Sequence, residues 1–128
     1  MVRHLIDSNA VTYYCTDTLP DKAWAFMDAA VNAGSYISVI TQIETLSWKT
    51  PNPATEHNVK YFVAISEIIE LTPDIAVKTV ELRRATRLKI PDAIVAATAI
   101  VHGLTLITSD ADFLGIPGLK TIDPLAMA

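Results

Sequence analysis

Cysteine is almost missing from this chain. Cys15 is the single one in 128 residues, so no intrachain disulfide can form and a cysteine-built zinc site is excluded. Glycine is also scarce. The four glycines, at 34, 103, 115 and 118, are scattered and none sits in a phosphate-cradling or dinucleotide-binding pattern. The three histidines, His4, His57 and His102, have no metal-ligand spacing to one another, and His-Glu-x-x-His does not occur. Ser8, Ser38, Ser47 and Ser109 lack a partnered histidine, which leaves a hydrolase triad without support. The central run free of charge, glycine and proline, Ala93 to Val101, is about half of what a bilayer requires. The opening Met1 to Asp7 has no long apolar core of the signal-peptide type. Positive charge is short as well: 10 Lys and Arg stand against 14 Asp and Glu, a net charge of −4. That balance argues against gripping nucleic acid by bulk positive charge. Any contact with nucleic acid needs cations from another source.

What is present is apolar. Hydrophobic residues make up 51% and charged ones only 19%, which excludes disorder and supplies a full core. A chain of this size buries roughly two-thirds of its unfolded surface. The expectation is a single cytoplasmic domain over residues 1–128, with no membrane segment and with apolar surface left for a partner, most simply a second copy.

Prolines and glycines fall between periodic segments and punctuate them. His4-Leu5-Ile6 reads as a strand ending at Asp7-Ser8-Asn9. Asp21 to Asn32 carries Trp24, Met27, Ala30 and Val31 at helical spacing, closed by Gly34. Tyr36 to Ile40 reads as a strand and Thr41 to Trp48 as a helix. A helix over 54–66 leads into a strand over 68–71, and Pro73 opens a helix with Ile75, Val80 and Leu82 inward. Pro91-Asp92 starts a helix to His102 that is apolar nearly all round and therefore buried. Strands over 104–108 and around 120–122 follow, with a short helical turn at Asp110 to Phe113. Alternating strands and helices predict an α/β fold: three layers, α/β/α, around a mostly parallel sheet of four to five strands. In such sheets the site lies beyond the carboxyl ends of the strands.

Four acidic residues fall on that edge: Asp7, Glu44, Asp92 and Asp110, with Asp112 two residues further on. Magnesium and manganese are hard cations that prefer oxygen ligands. Clustered carboxylates repel one another unless a cation neutralises them. On a phosphodiester such a cation activates water and stabilises the leaving oxygen. Each carboxylate also has a local structural explanation. Thr41-Gln42-Ile43-Glu44 has the form of a capping box, with Thr41 as N-cap. Asp92 after Pro91 suits a helix dipole, and Asp7 and Asp110 suit cap positions. The argument for function lies in all of them sharing one edge of one sheet. The densest basic feature, Arg83-Arg84 with Arg87 and Lys89, reads either as a solvated helix face or as a phosphate clamp or docking surface beside Asp92.

Taken together, these segments resemble the PIN domain, and specifically the short VapC-type bacterial toxins. The resemblance runs through Leu5-Ile6-Asp7-Ser8-Asn9, Ser38 to Leu46, Ile90 to Ala99 and Gly103 to Phe113, and continues through Gly115 to Leu119 to Ile122-Asp123-Pro124. It implies a ribonuclease dependent on Mg²⁺ or Mn²⁺, frequent homodimers, and an antitoxin partner that blocks the site. Carried over, Asp7, Glu44, Asp92 and Asp110 form the acidic metal-binding set, while Ser8 or Asn9 and Thr41 are supporting polar positions. Two departures stand out. Asp110 and Asp112 compete for the fourth acidic position, with Asp110 favoured because it follows the strand directly. Ser109 occupies the supporting position where the family usually carries arginine, which removes a phosphate contact.

Other readings fare worse. A haloacid-dehalogenase phosphatase needs a second Asp two residues after the nucleophile, and Asn9 stands there. A response-regulator receiver needs paired acids near the first strand and a lysine after a late strand, and Leu106-Ile107-Thr108-Ser109 lacks it. The main rival is a PIN-like module that binds nucleic acid or protein without cutting. Setting Asp7, Glu44, Asp92 and Asp110 aside leaves 10 acidic against 10 basic residues, so the net charge of −4 belongs to the predicted site.

Overall fold

The computed structural model describes residues 2–127. Five short strands form one sheet: β1 (His4–Ile6), β2 (Tyr36–Ser38), β3 (Glu67–Ile69), β4 (Thr105–Ile107) and β5 (Thr121–Ile122). Their order is β3-β2-β1-β4-β5, and every neighbouring pair is parallel. The helices are α1 (Ser8–Cys15), α2 (Asp21–Asn32), α3 (Val39–Leu46), α4 (Pro53–Ile65), α5 (Pro73–Ala85) and α6 (Ile90–His102). The α/β architecture expected from strand and helix alternation is present, with all five strands parallel.

The pleat divides the core. Leu5 and Leu106 point to one face, against α5 and α6; Ile6, Ile37 and Ile107 point to the other, against α1, α2 and α4. Helix α6 fits tightly because Ala93 through Ala99 are all buried, and its small alanines let it lie close to the sheet. It ends at Gly103, whose φ of 65° is left-handed and suits glycine. From β1 the chain steps outward through β2 to β3, then crosses back to place β4 on the other side of β1. The β1/β4 boundary is therefore the point where the strand order reverses, and its carboxyl end is where an α/β sheet opens a crevice.

Five local expectations are corrected. Strand β2 stops at Ser38, so Val39 and Ile40 begin α3 instead of extending the strand. The reason is capping: the Ser38 hydroxyl accepts from the Ile40 amide, and Thr41 lies inside the helix. The Thr41–Glu44 capping box is thus absent. On α5 the inward residues are Ile75, Thr79 and Leu82, whereas Val80 is 57% exposed. Trp24 on α2 is also largely outward; Ala23, Met27 and Ala30 form the buried stripe. Finally, Asp7 holds the N-cap position of α1 but its side chain makes no cap bond. Its carboxylate is used elsewhere.

Candidate functional site

Asp7 continues β1 by one residue, its amide donating to the Ile107 carbonyl of β4. The side chain is 6% exposed, and its Oδ2 accepts from the Thr108 hydroxyl at 2.8 Å and from Asn9 Nδ2 at 3.3 Å. Asn9 Nδ2 also reaches Thr108 Oγ1 at 3.2 Å, and Asn9 Oδ1 accepts from the Ser109 amide at 3.1 Å. The Thr108 hydroxyl in turn accepts from the Asp110 amide at 3.1 Å. The ends of β1 and β4 are thereby tied into one polar network.

Asp110, Asp112 and Asp92 come together. Each offers a carboxylate oxygen, and these oxygens lie within 4.8 Å of one another. Asp92 sits in the first turn of α6. Asp110 caps the turn Ala111–Phe113 and Asp112 lies within it; the turn is fixed by Asp110 Oδ1 accepting from the Asp112 amide at 2.9 Å and by Phe113 buried in the core. Asp110 and Asp112 are therefore not mutually exclusive, since both belong to the group. Glu44 approaches from α3, where its Oε1 accepts from the Ser8 hydroxyl at 2.7 Å. Ser8, Glu44 and Trp48 help line a cleft of about 430 Å³ on this side.

The electrostatics show that the carboxylates share one field. Burial pushes the Asp7 carboxyl up to about 6, against hydrogen bonds from Thr108 and the Ser8 backbone, and the charges of Asp92 and Glu44 add to the rise. Asp92 is raised by burial first, then by Asp110, Glu44 and Asp112, while Lys89 pulls the other way. Such mutual repulsion is what a divalent cation relieves.

The donor set fits a hard cation. It consists of carboxylates, hydroxyls and the Asn9 amide, with no sulfur or imidazole among its members. Thr41, one turn ahead of Glu44 on α3, is fully buried, and its hydroxyl has no hydrogen-bond partner among the described residues. An orphaned buried hydroxyl calls for a ligand or an ordered water.

Two contributors escaped the sequence. Thr108 is the hub of the network, yet a threonine at a strand end carries no local signal of that role. Asp123, capping the short turn Pro124–Ala126, accepts from the Ser109 hydroxyl at 2.6 Å and from the Leu125 amide at 2.9 Å. Ser109 thus supports the loop after β4 by anchoring it to the chain's last turn.

A profile of the PIN domain matches residues 4–119. No curated protein sequence matches the chain. Among solved structures, a chain of a toxin–antitoxin complex from Klebsiella pneumoniae is 32% identical, with TM-score 0.73, covering 94% of this chain and 97% of that one. A chain of DNA-bound VapBC from Salmonella typhimurium is 22% identical, with TM-score 0.80 and coverage of 97% and 99%. One of VapBC2 from Rickettsia felis, bound to a DNA fragment from their promoter, is 21% identical, with TM-score 0.78 and coverage of 95% and 98%. The strand order, the acidic edge and these matches agree: the chain belongs to the PIN domain family and shares its fold with chains of VapBC toxin–antitoxin complexes.

Proposed function

We propose that this protein is an endoribonuclease of the VapC toxin type, hydrolysing RNA phosphodiester bonds with Mg²⁺ or Mn²⁺. The observation that carries the reading is the convergence of Asp92, Asp110 and Asp112 within ligand reach of one another, beside Asp7 and Glu44. These five residues would hold the cation. When bound, it supplies an activated water and neutralises charge on the leaving oxygen of an in-line displacement. The chain's own residues do the positioning. Thr108 and Asn9 fix the orientation of the Asp7 carboxylate, and Ser8 fixes that of Glu44. Asp7 is set back and buried, and that burial pushes its carboxyl up to about 6.

The partners follow from the surface and from the relatives. Ile43, Tyr61, Ile65 and Val77 are each more than half exposed, which is costly surface for a lone chain. A cognate antitoxin, as in the Klebsiella complex, and a second copy of the chain are the proposed occupants. No helix among the described residues is long and apolar enough to cross a membrane; the cytoplasmic location proposed for the protein rests on its likeness to chains of VapBC complexes.

The test is cleavage of RNA by purified protein, with the cut ends mapped. Wild type should leave 5′-phosphate and 3′-hydroxyl ends, and Asp7→Asn or excess EDTA should abolish cleavage with the fold intact. Equal cleavage in either case sinks the proposal. A silent Mg²⁺ titration, with RNA or protein still bound, would instead favour a binding module that does not cut.

A further inference from the structure

We propose that Arg84, Arg87 and Lys89, at the corner joining α5 to α6, form a phosphate track that leads a single-stranded RNA into the carboxylate site. The inference rests on the reading of the substrate as RNA and adds the surface that holds it.

The corner lies at the correct edge of the sheet. Asp74 and Val77, near the start of α5, share a cleft with Val101 near the end of α6. The two helices are therefore antiparallel, and the end of α5 comes up beside the start of α6, where Asp92 sits. Four of the chain's ten basic residues fall between positions 83 and 89. The site itself is a concentration of negative charge, so a polyanion approaching it needs fixed cations at the rim.

The corner is also built, not loose. Arg83 Nη1 donates to the Leu88 carbonyl at 2.9 Å. The Thr86 hydroxyl donates to the Leu82 carbonyl at 2.7 Å and accepts from the Leu88 amide at 3.2 Å. Leu88 is 4% exposed and packs into the core. Arg83 is thus consumed in holding the turn, and the heads of its neighbours are left over. Among the described residues the ion pairs are Lys60–Glu56 and Lys78–Glu81, so Arg84, Arg87 and Lys89 neutralise no carboxylate by direct contact.

A purely structural role accounts for only one of them. Arg84 suits the negative end of the α5 dipole, but Arg87 lies beyond that helix. Lys89 is in the opposite situation. It occupies the N-cap of α6, makes no capping bond, and puts a cation at the end of a helix that disfavours one. It is also the cation whose charge is felt at Asp92. A lysine in an unfavourable local position beside the site is accounted for by an anionic partner.

The experiment measures binding, so that it is separate from cleavage. Fluorescence anisotropy of a labelled single-stranded RNA on the full-length Asp7→Asn protein, at fixed Mg²⁺, gives Kd from about 50 to 200 mM salt. Each single-strand phosphate contact contributes about 0.7 to the slope of log Kd against log salt concentration. Arg84→Gln, Arg87→Gln and Lys89→Gln together should therefore lower the slope by about 2, equally for RNAs of unrelated sequence. Arg84→Lys with Arg87→Lys should keep it, and circular dichroism should show both variants folded. An unchanged slope, or no RNA binding even at the lowest salt, overturns the track; an unchanged slope with loss of a bound partner protein reassigns the corner to that partner. If wild type cuts RNA in an Asp7-dependent way while the slope is unmoved, only the track fails. If the slope falls but no RNA is cut, the track stands and the nuclease reading fails.

Discussion

The Thr108 hydroxyl donates to Asp7 Oδ2 at 2.8 Å, joining the ends of two parallel strands across 101 positions of sequence. Thr108 Oγ1 itself accepts from Asn9 Nδ2 and from the Asp110 amide. One buried hydroxyl therefore orients the carboxylate at β1 and starts the loop that carries Asp110 and Asp112. Thr108→Val keeps the shape and removes all three bonds. It should lower stability by about 1–3 kcal/mol, because buried partners are left unpaired. RNA cleavage should fall further than stability alone explains, and Thr108→Ser should restore most of both. Urea unfolding alongside cleavage rates on the same preparations checks this.

The burial of Asp7 has a consequence for stability against pH. Its carboxyl titrates near 6 in the fold and near 3.8 in the open chain, so the folded state binds the proton more tightly. Stability of the metal-free protein should then decrease as pH rises between about 4 and 6, and level off beyond. The full effect is at most about 3 kcal/mol. Asp7→Asn, which cannot ionise, should flatten that dependence and raise the melting temperature at pH 7 without metal. A variant with the wild-type pH profile would show that Asp7 is not the group responsible.

Metal should reverse that order. A cation that binds only the folded chain adds about 2.7 kcal/mol at one hundred times its Kd. Mg²⁺ or Mn²⁺ should raise the wild-type melting temperature, EDTA should undo the rise, and Asp92→Asn should greatly reduce it. The stabilisation should weaken below about pH 6, where Asp7 takes up its proton. Differential scanning fluorimetry at pH 5 and pH 7.5 tests both statements.

Ser38 and Thr41 separate a cap from an orphan. Ser38→Ala removes the bond to the Ile40 amide and should cost about 1 kcal/mol. Thr41→Val removes a buried hydroxyl that has no protein partner, so the metal-free protein should be unchanged or more stable. A large loss in Thr41→Val, equal to that of Ser38→Ala, would contradict this assignment. Thermal melts without metal are sufficient.

The acidic edge was legible because it depends on local pattern. A short apolar strand followed by Asp7, a helix opening at Pro91-Asp92, and Asp110 after Thr108 each place a carboxylate at a strand or helix end whatever the partners are. Alternation of strand and helix periods then makes the sheet parallel, and connection geometry puts those ends on one side. The same locality explains the failure at Thr41 and Glu44. The capping-box spacing was present, but Ser38 three residues earlier cast the first turn, and Glu44 bonds to Ser8 instead. On α5, periodicity selected Val80, whereas packing against α6 buried Thr79.

By itself, the sequence determined the parallel sheet, the scarcity of positive charge and the four carboxylates, Asp7, Glu44, Asp92 and Asp110, that account for the acidic balance. Only the tertiary structure decided how those carboxylates are used. It drew Asp92 to Asp110 and Asp112, set Asp7 behind Thr108 and tied Ser109 to Asp123. The physical reason is that each of these relationships joins side chains that become neighbours only once β4 has paired with β1 and the crossover helices have packed.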